Sequence, residues 1–203
     1  EFRRVLFRSG SFYRYQKTGK ERGAACGRVR FAVGSMGNFR EISPFETENA
    51  MKLIGKDWML ITVKDEEKNR VNAMTASWGC LGYLWNQSVC VCFIRPQRYT
   101  YGLTEREERF SIAFLGEEHR EALRLCGRLS GADCDKLSDA GLTSCTLDGV
   151  PVVSEAKLVM VCRKLYTDTL KESGFYDRSL LANYPQGDFH RVLIGKIEKV
   201  YIK

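Results

Sequence analysis

Trp58-Met-Leu-Ile-Thr-Val63, the charged run from Lys64 to Arg70, and Val71-Asn-Ala-Met-Thr-Ala-Ser-Trp78 read together as a strand, an exposed hairpin connection and a returning strand. The first segment is apolar, rich in strand formers, and stops where the charges begin. The returning strand ends in a cradle-like piece. Ala73, Thr75, Ala76 and Ser77 place small side chains and hydroxyls where a backbone can approach a ligand, and Trp78 follows as a flat apolar surface. Strand-end loops are where ligands are usually met.

About twenty residues further on, Val89-Cys-Val-Cys-Phe-Ile94 repeats the pattern of a strand, and Pro96 breaks it. The segment Arg95-Pro-Gln-Arg-Tyr-Thr100 is then a strand-end turn. It supplies two guanidinium groups, Arg95 and Arg98, with further donors at Tyr99 and Thr100. Phosphate suits such a set of charged donors, and a fused aromatic ring suits the platform offered by Trp78. These residues by themselves allow a nucleotide, a nucleic acid or a flavin.

Phe110–Leu115 reads as a further strand, and residues 117–128 show a helical pattern with Ala122, Leu125 and Leu129 on one face. Residues 155–170 alternate into a long strand, 177–183 suit a short helix, and 192–202 are strand-like. Strands predominate and are not separated by regular helices. That argues against a doubly wound parallel sheet and for a mainly β fold, a β-barrel with a few covering helices.

The chain has 203 residues, 44% of them hydrophobic, enough for one well-buried core. Its net charge of +7 is unevenly placed, since the first 35 residues hold nine basic and two acidic side chains and residues 36–203 hold 23 of each sign. The nucleic-acid reading loses its support once that leader is set aside. Glu1-Phe-Arg-Arg-Val-Leu-Phe-Arg-Ser9 resembles the in-frame translation of a sequencing-adapter oligonucleotide. Residues 1–35 are therefore expected to be a non-native or disordered leader, with the natural protein starting at Met36; the rival reading is a basic arm that binds anions.

Eight cysteines are present, an odd number of them beyond the leader, with no C-x-x-C pair. Without a signal peptide to go with them, a reducing cytoplasm is the expected compartment. No apolar run approaches the roughly 20 residues needed to span a bilayer. Cys90 and Cys92 share one strand face and read as core; no metal site is expected. There is no G-x-G-x-x-G after a strand and no Walker loop, which removes the Rossmann and P-loop classes.

Four segments in order resemble the flavin reductase-like family, particularly its flavoredoxin-like branch. They are Asn72–Trp78, Arg95–Thr100, Gly149-Val-Pro-Val-Val-Ser-Glu-Ala156 and His190-Arg-Val-Leu-Ile-Gly-Lys-Ile197, and the likeness runs from Phe39 to Ile202. The resemblance implies a split β-barrel that binds FMN and pairs as a homodimer with the flavin near the subunit interface. It implies that Met74, Thr75, Ala76, Ser77 and Trp78 wrap the flavin, and that Arg95, Arg98, Tyr99 and Thr100 hold its phosphate and ribityl chain. A phosphate dianion and a ring bearing carbonyls want those donors.

His190 is the candidate catalytic residue, with a hydrogen-bonding role at a strand end as the alternative. Asp188 stands two residues before it and is expected to orient the imidazole. The string Gly187-Asp-Phe-His190 is one residue longer than the Gly-Asp-His of the better-known flavin reductases. The donor is thus left open between NADH, NADPH and a protein. Cys80 reads either as a group near the flavin edge or as a small buried filler. The function expected is an FMN-dependent oxidoreductase passing hydride or electrons to a small-molecule or protein acceptor. The alternative is an FMN-binding electron carrier without a nicotinamide site.

Overall fold

The computed structural model describes residues 39–47 and 49–203. The expectations for the leader and for a start at Met36 lie outside these residues. In chain order the strands are β1 (Arg40–Ile42), β2 (Met59–Asp65), β3 (Arg70–Ala76), β4 (Gly79–Leu84), β5 (Gln87–Ile94), β6 (Arg109–Phe114), β7 (Ser144–Leu147), β8 (Val150–Val153), β9 (Leu158–Thr169) and β10 (Arg191–Ile202). The helices are α1 (Ala50–Lys52), which runs into a π turn, α2 (Tyr99–Arg106), α3 (Arg120–Arg128) and α4 (Lys136–Asp139). A 3-10 helix over Arg178–Asn183 is capped by Asp177, which accepts from Ser179 N at 3.0 Å.

The main sheet is antiparallel and ordered β3-β2-β6-β9-β10-β5-β4, with β1 paired to the far end of β10. Its two edge strands, β3 and β4, are consecutive in the chain and joined by Ser77 and Trp78 alone. A link that short spans at most about 11 Å. Seven strands laid flat would put their edges about 29 Å apart. The sheet therefore has to curl until its edges meet, and it does so at the first cradle segment. Gly79 makes the closure sterically feasible: a Cβ there would sit 2.7 Å from both Met59 Cε and the Val91 carbonyl oxygen.

Alternation along the strands sends side chains into two cores. Ile61, Met74, Ile112, Phe114, Met160, Cys162, Cys90, Cys92 and Ile94 fill the barrel. Leu60, Ala73, Ala113, Val159 and Val161 point outward, where Leu123 and Cys126 of α3, Leu137 of α4 and Leu147, Val150 and Val152 of the β7–β8 hairpin cover them. Burial on both faces explains why β2, β6 and the first half of β9 read as near-continuous apolar runs. The expectation of a barrel with a few helices holds, as does the core placement of Cys90 and Cys92.

Several local readings need correction. Lys64 and Asp65 belong to β2, and Asp65 is wholly buried rather than part of an exposed connection. It accepts from Tyr99 Oη at 2.8 Å and from Lys68 N at 3.3 Å. Only the first part of Arg95–Thr100 is a turn, because α2 begins at Tyr99. In α3 the buried residues are Leu123 and Cys126 rather than Leu125 and Leu129. Strand β4 was not legible, because Gly79, Gly82 and an exposed outer face erase its alternation. Its hairpin to β5 turns through Trp85 and Asn86, both at positive φ, and the β7–β8 hairpin turns through Asp148 and Gly149, also both positive. That pattern belongs to the tight type I′ turn, and Asp-Gly was a signal the sequence reading missed. No helix among the described residues is long and apolar enough to cross a membrane.

Candidate functional site

Where β3 hands over to β4, an open cleft of about 250 Å³ is lined by Met74, Thr75, Ala76, Ser77 and Trp78. Phe93 and Arg95 enter it from the end of β5, Arg98 from the turn before α2, Gly127 from α3, and His190 from the residue preceding β10. Sheet pairing explains the convergence: Arg191 lies opposite Ile94, so Arg95 and His190 are the next residues on adjoining strands. Helix α3 brings Gly127 over β3, where even a Cβ would make only ordinary contact with Thr75 Cβ at 3.5 Å. The Thr75 hydroxyl donates to the Leu123 carbonyl at 2.6 Å and so ties β3 to α3.

The two arginines expected to act alike do not. Arg95 forms an ion pair with Asp188 and donates through Nη2 to the Asn183 carbonyl at 2.8 Å. Gln97 donates to the same carboxylate at 2.8 Å, and hydrogen bonds from Gln97 and Arg95 hold the Asp188 carboxyl below its usual range. Arg95 is therefore charge-compensated and pins the 183–188 loop. Arg98 has no carboxylate partner among the described residues; its one contact is from Nη2 to the Cys126 carbonyl at 3.5 Å. Burial lowers its pKa, yet a guanidinium stays charged in proteins. Arg98 is half-buried, lines the cleft, and is the arginine free to meet an anion there.

The imidazole of His190 is 6% exposed, and its Nδ1 lies 2.8 Å from the Tyr184 hydroxyl. The expected orienting carboxylate, Asp188, is engaged by Arg95 and Gln97 instead. Tyr184 was not singled out by sequence, because nothing local marks a tyrosine as the partner of a histidine six residues later. Trp78 packs against the imidazole at 5.1 Å between ring centroids, and Phe93 meets it edge-on at 6.4 Å. Burial, and secondarily the charge of Arg95, lowers the His190 pKa from its ordinary value. The ring is thus neutral at pH 7, and with Nδ1 engaged, Nε2 is the nitrogen left for a ligand.

Tyr99 and Thr100 do not line the cleft. Tyr99 donates its hydroxyl to buried Asp65, under the Lys68 ammonium at 4.9 Å from its ring centroid. Thr100 is 1% exposed, and its Oγ1 accepts from Asn72 Nδ2 at 2.8 Å. These side chains anchor the start of α2 to β2 and β3. No side chain caps the N-terminus of α2, and the Tyr101 amide is taken by the Arg98 carbonyl at 2.8 Å. Cys80 is exposed on β4, not a buried filler. Phe93, Gly127 and Tyr184 are the site residues that sequence reasoning did not single out.

The sequence model of the family described as flavin reductase like domain matches residues 51–203. The chain belongs to this family. Comparison with curated proteins finds no match. Among solved structures, an FMN-binding protein from Thermus thermophilus with bound p-hydroxybenzaldehyde is similar at 24% identity and TM-score 0.57, covering 72% of this chain and 71% of that one. Flavoredoxin of Desulfovibrio vulgaris (Miyazaki F) aligns at 20% identity and TM-score 0.58, covering 72% and 69%. A putative flavin reductase with split barrel domain from Shewanella frigidimarina aligns at 18% identity and TM-score 0.58, covering 79% and 77%. At these identities the likeness is one of fold, and this flavin reductase-like chain has the split-barrel fold.

Proposed function

We propose that this protein binds FMN in the β3–β4 cleft and acts as an oxidoreductase, passing hydride or electrons from a reduced donor to an acceptor. The observation that carries the reading is the convergence of an uncompensated guanidinium, Arg98, with the aromatic pair Trp78 and His190 at one cleft. Arg98 is the anion-receiving group, since charged donors favour phosphate. Trp78, 46% exposed, offers an unsaturated face for a fused ring. FMN supplies the two-electron and one-electron chemistry when bound; the protein contributes binding and orientation.

In this reading the Met74–Ser77 backbone lies along the ring system, Arg98 takes the phosphate, and Arg95 acts from behind by holding the Asp188 loop. His190 presents a neutral Nε2 whose tautomer is governed by Tyr184. A cleft of about 250 Å³ falls below the roughly 300–1,000 Å³ of pockets that enclose a ligand of this size. A second copy of the chain is the expected cover. The exposed face of β4 and the apolar hollow beside Trp78, lined by Met51, Ile54, Cys80 and Leu81, continue from the cleft and suit that role. The seven described cysteines are all free, which fits a reducing cytoplasm.

The second reading is an FMN-binding electron carrier, favoured by Tyr184, whose hydroxyl meets His190 Nδ1 and whose ring is backed by Phe189, so that protein side chains already occupy this side of the imidazole. One experiment separates the two. The protein is loaded with FMN, its flavin absorbance recorded, and NADH or NADPH added with excess free FMN. Prompt nicotinamide oxidation supports the reductase, and reduction only by light or by a protein donor supports the carrier. A protein that takes up no FMN overturns both.

A further inference from the structure

Lys136, the first residue of α4, is 4% exposed, and no carboxylate pairs with it among the described residues. Its Nζ donates to one acceptor, the Cys126 carbonyl, at 3.3 Å. Arg98 Nη2 approaches that same carbonyl at 3.5 Å. Two cations from separate elements thus converge on a single oxygen in the last turn of α3, beside Gly127 in the cleft wall. Arg70 adds a third positive group nearby, although it donates to the Gly131 carbonyl and lies 3.8 Å from Asp65. A buried ammonium without a counter-charge is costly, and one carbonyl does not neutralise two cations. The arrangement is incomplete without an anion.

Resting on the FMN reading, we infer that Lys136 is the residue that makes the site select a phosphorylated flavin over the unphosphorylated one, by supplying, behind Arg98, the second positive charge that a phosphate dianion requires. Arg98 meets the phosphate from the cleft, and Lys136 balances the remaining charge from the protein side. The Lys136 pKa is lowered to about 8, first by burial and then by Arg98, with Arg70 adding to the effect and Cys126 and Cys134 opposing it only where they are ionised. The charged or titratable groups facing it are therefore Arg98 from the turn before α2, Arg70 from β3, Cys126 from α3 and Cys134 from the loop before α4. The Cys126 thiol is itself pushed up to about 11 by burial and stays neutral in the working range. A bound dianion stabilises the ammonium and raises the lysine pKa, so FMN affinity is greatest below pH 8 and declines as the pH climbs toward the raised value. Riboflavin, lacking the phosphate, does not share this decline.

The test is a set of titrations of the full chain with FMN and with riboflavin, followed by flavin fluorescence and by calorimetry in two buffers. For the wild type we expect FMN to bind more tightly than riboflavin, with proton uptake near pH 8.5 for FMN alone. Lys136→Met is expected to weaken FMN about 10- to 100-fold, the range of a charge-assisted contact, and to leave riboflavin unchanged. Lys136→Arg should keep most of the discrimination. Thermal melts check that both variants fold, and Lys136→Met should melt no lower than wild type because a buried cation is gone. Equal losses for both flavins, unchanged FMN affinity in Lys136→Met, or wild-type FMN binding without proton uptake would overturn the inference. A wild type that binds neither flavin overturns the FMN reading itself, a distinct result.

Discussion

The Tyr184 hydroxyl lies 2.8 Å from His190 Nδ1, while Asp188, two residues from the histidine, pairs with Arg95. The imidazole at this cleft is therefore oriented by a neutral phenol and not by a carboxylate. A carboxylate would hold the ring protonated to higher pH; a phenol does not, and burial has pushed the pKa down. Neutral His190 is the form present throughout the neutral range.

A stability consequence follows from that depressed pKa. In the unfolded chain His190 takes up its proton near the ordinary value of about 6.5. In the folded protein it does so only at lower pH, so the unfolded state binds more protons in between and stability rises with pH across that window. The contribution is fully present above the unfolded value and is lost as pH falls toward the folded one. Melting temperatures between pH 5 and 7 should fall more steeply on acidification for the wild type than for His190→Asn. Parallel curves would show that the imidazole titrates as in water.

Tyr184→Phe removes the partner of Nδ1 without removing the ring. Nitrogen-15 shifts of the imidazole should report one dominant neutral tautomer in the wild type and a mixture in the variant. A single unchanged tautomer in the variant would assign the orientation to some other group.

Arg98→Ala should weaken FMN binding by about 1 to 3 kcal/mol, the scale of a charged hydrogen bond. Arg95→Ala should act differently, since its guanidinium is already matched by Asp188 and the Asn183 carbonyl. Its main effect is expected as faster proteolysis of the 183–188 loop, with a smaller change in affinity. Equal affinity losses in the two variants would mean that both arginines reach the ligand directly.

Thr100→Val tests whether that residue anchors the fold or touches a ligand. It leaves the buried Asn72 amide without its acceptor, which should cost about 1 to 3 kcal/mol of stability. FMN affinity in the folded variant should be unchanged. A retained melting temperature with lost affinity would return Thr100 to the ligand.

Gly79→Ala places a methyl group 2.7 Å from Met59 Cε and from the Val91 carbonyl oxygen at the seam where the sheet closes. Overpacking of this kind typically costs about 1 to 3 kcal/mol, and here one neighbour is backbone that cannot rotate away. Chemical denaturation should show the loss, accompanied by altered Trp78 fluorescence because the seam moves. Wild-type stability would mean the barrel closes with slack at this point.

Apolar runs, Pro96 and the charged break after Val63 were enough to locate β2, β3, β5, β6, β9 and β10, because a strand buried on one or both faces writes its environment into consecutive residues. The same local patterning exposed the cleft's two main pieces, Met74–Trp78 and Arg95–Arg98. It failed for β4, whose outer face is exposed and whose glycines serve the barrel seam, and for the α3 face, where packing against β3 selects Leu123 and Cys126.

Sequence by itself determined most of the buried strands and the side chains of the two cleft segments, but not β4 or the true end of β2. Tertiary structure alone decided their partners: Arg95 is neutralised by a carboxylate 93 positions away, while Arg98 and Lys136, 38 positions apart, are left to share one carbonyl. The reason is physical. Strand propensity and burial pattern are properties of neighbouring residues, whereas the charge balance of a cleft depends on which distant side chains barrel closure brings within hydrogen-bonding distance.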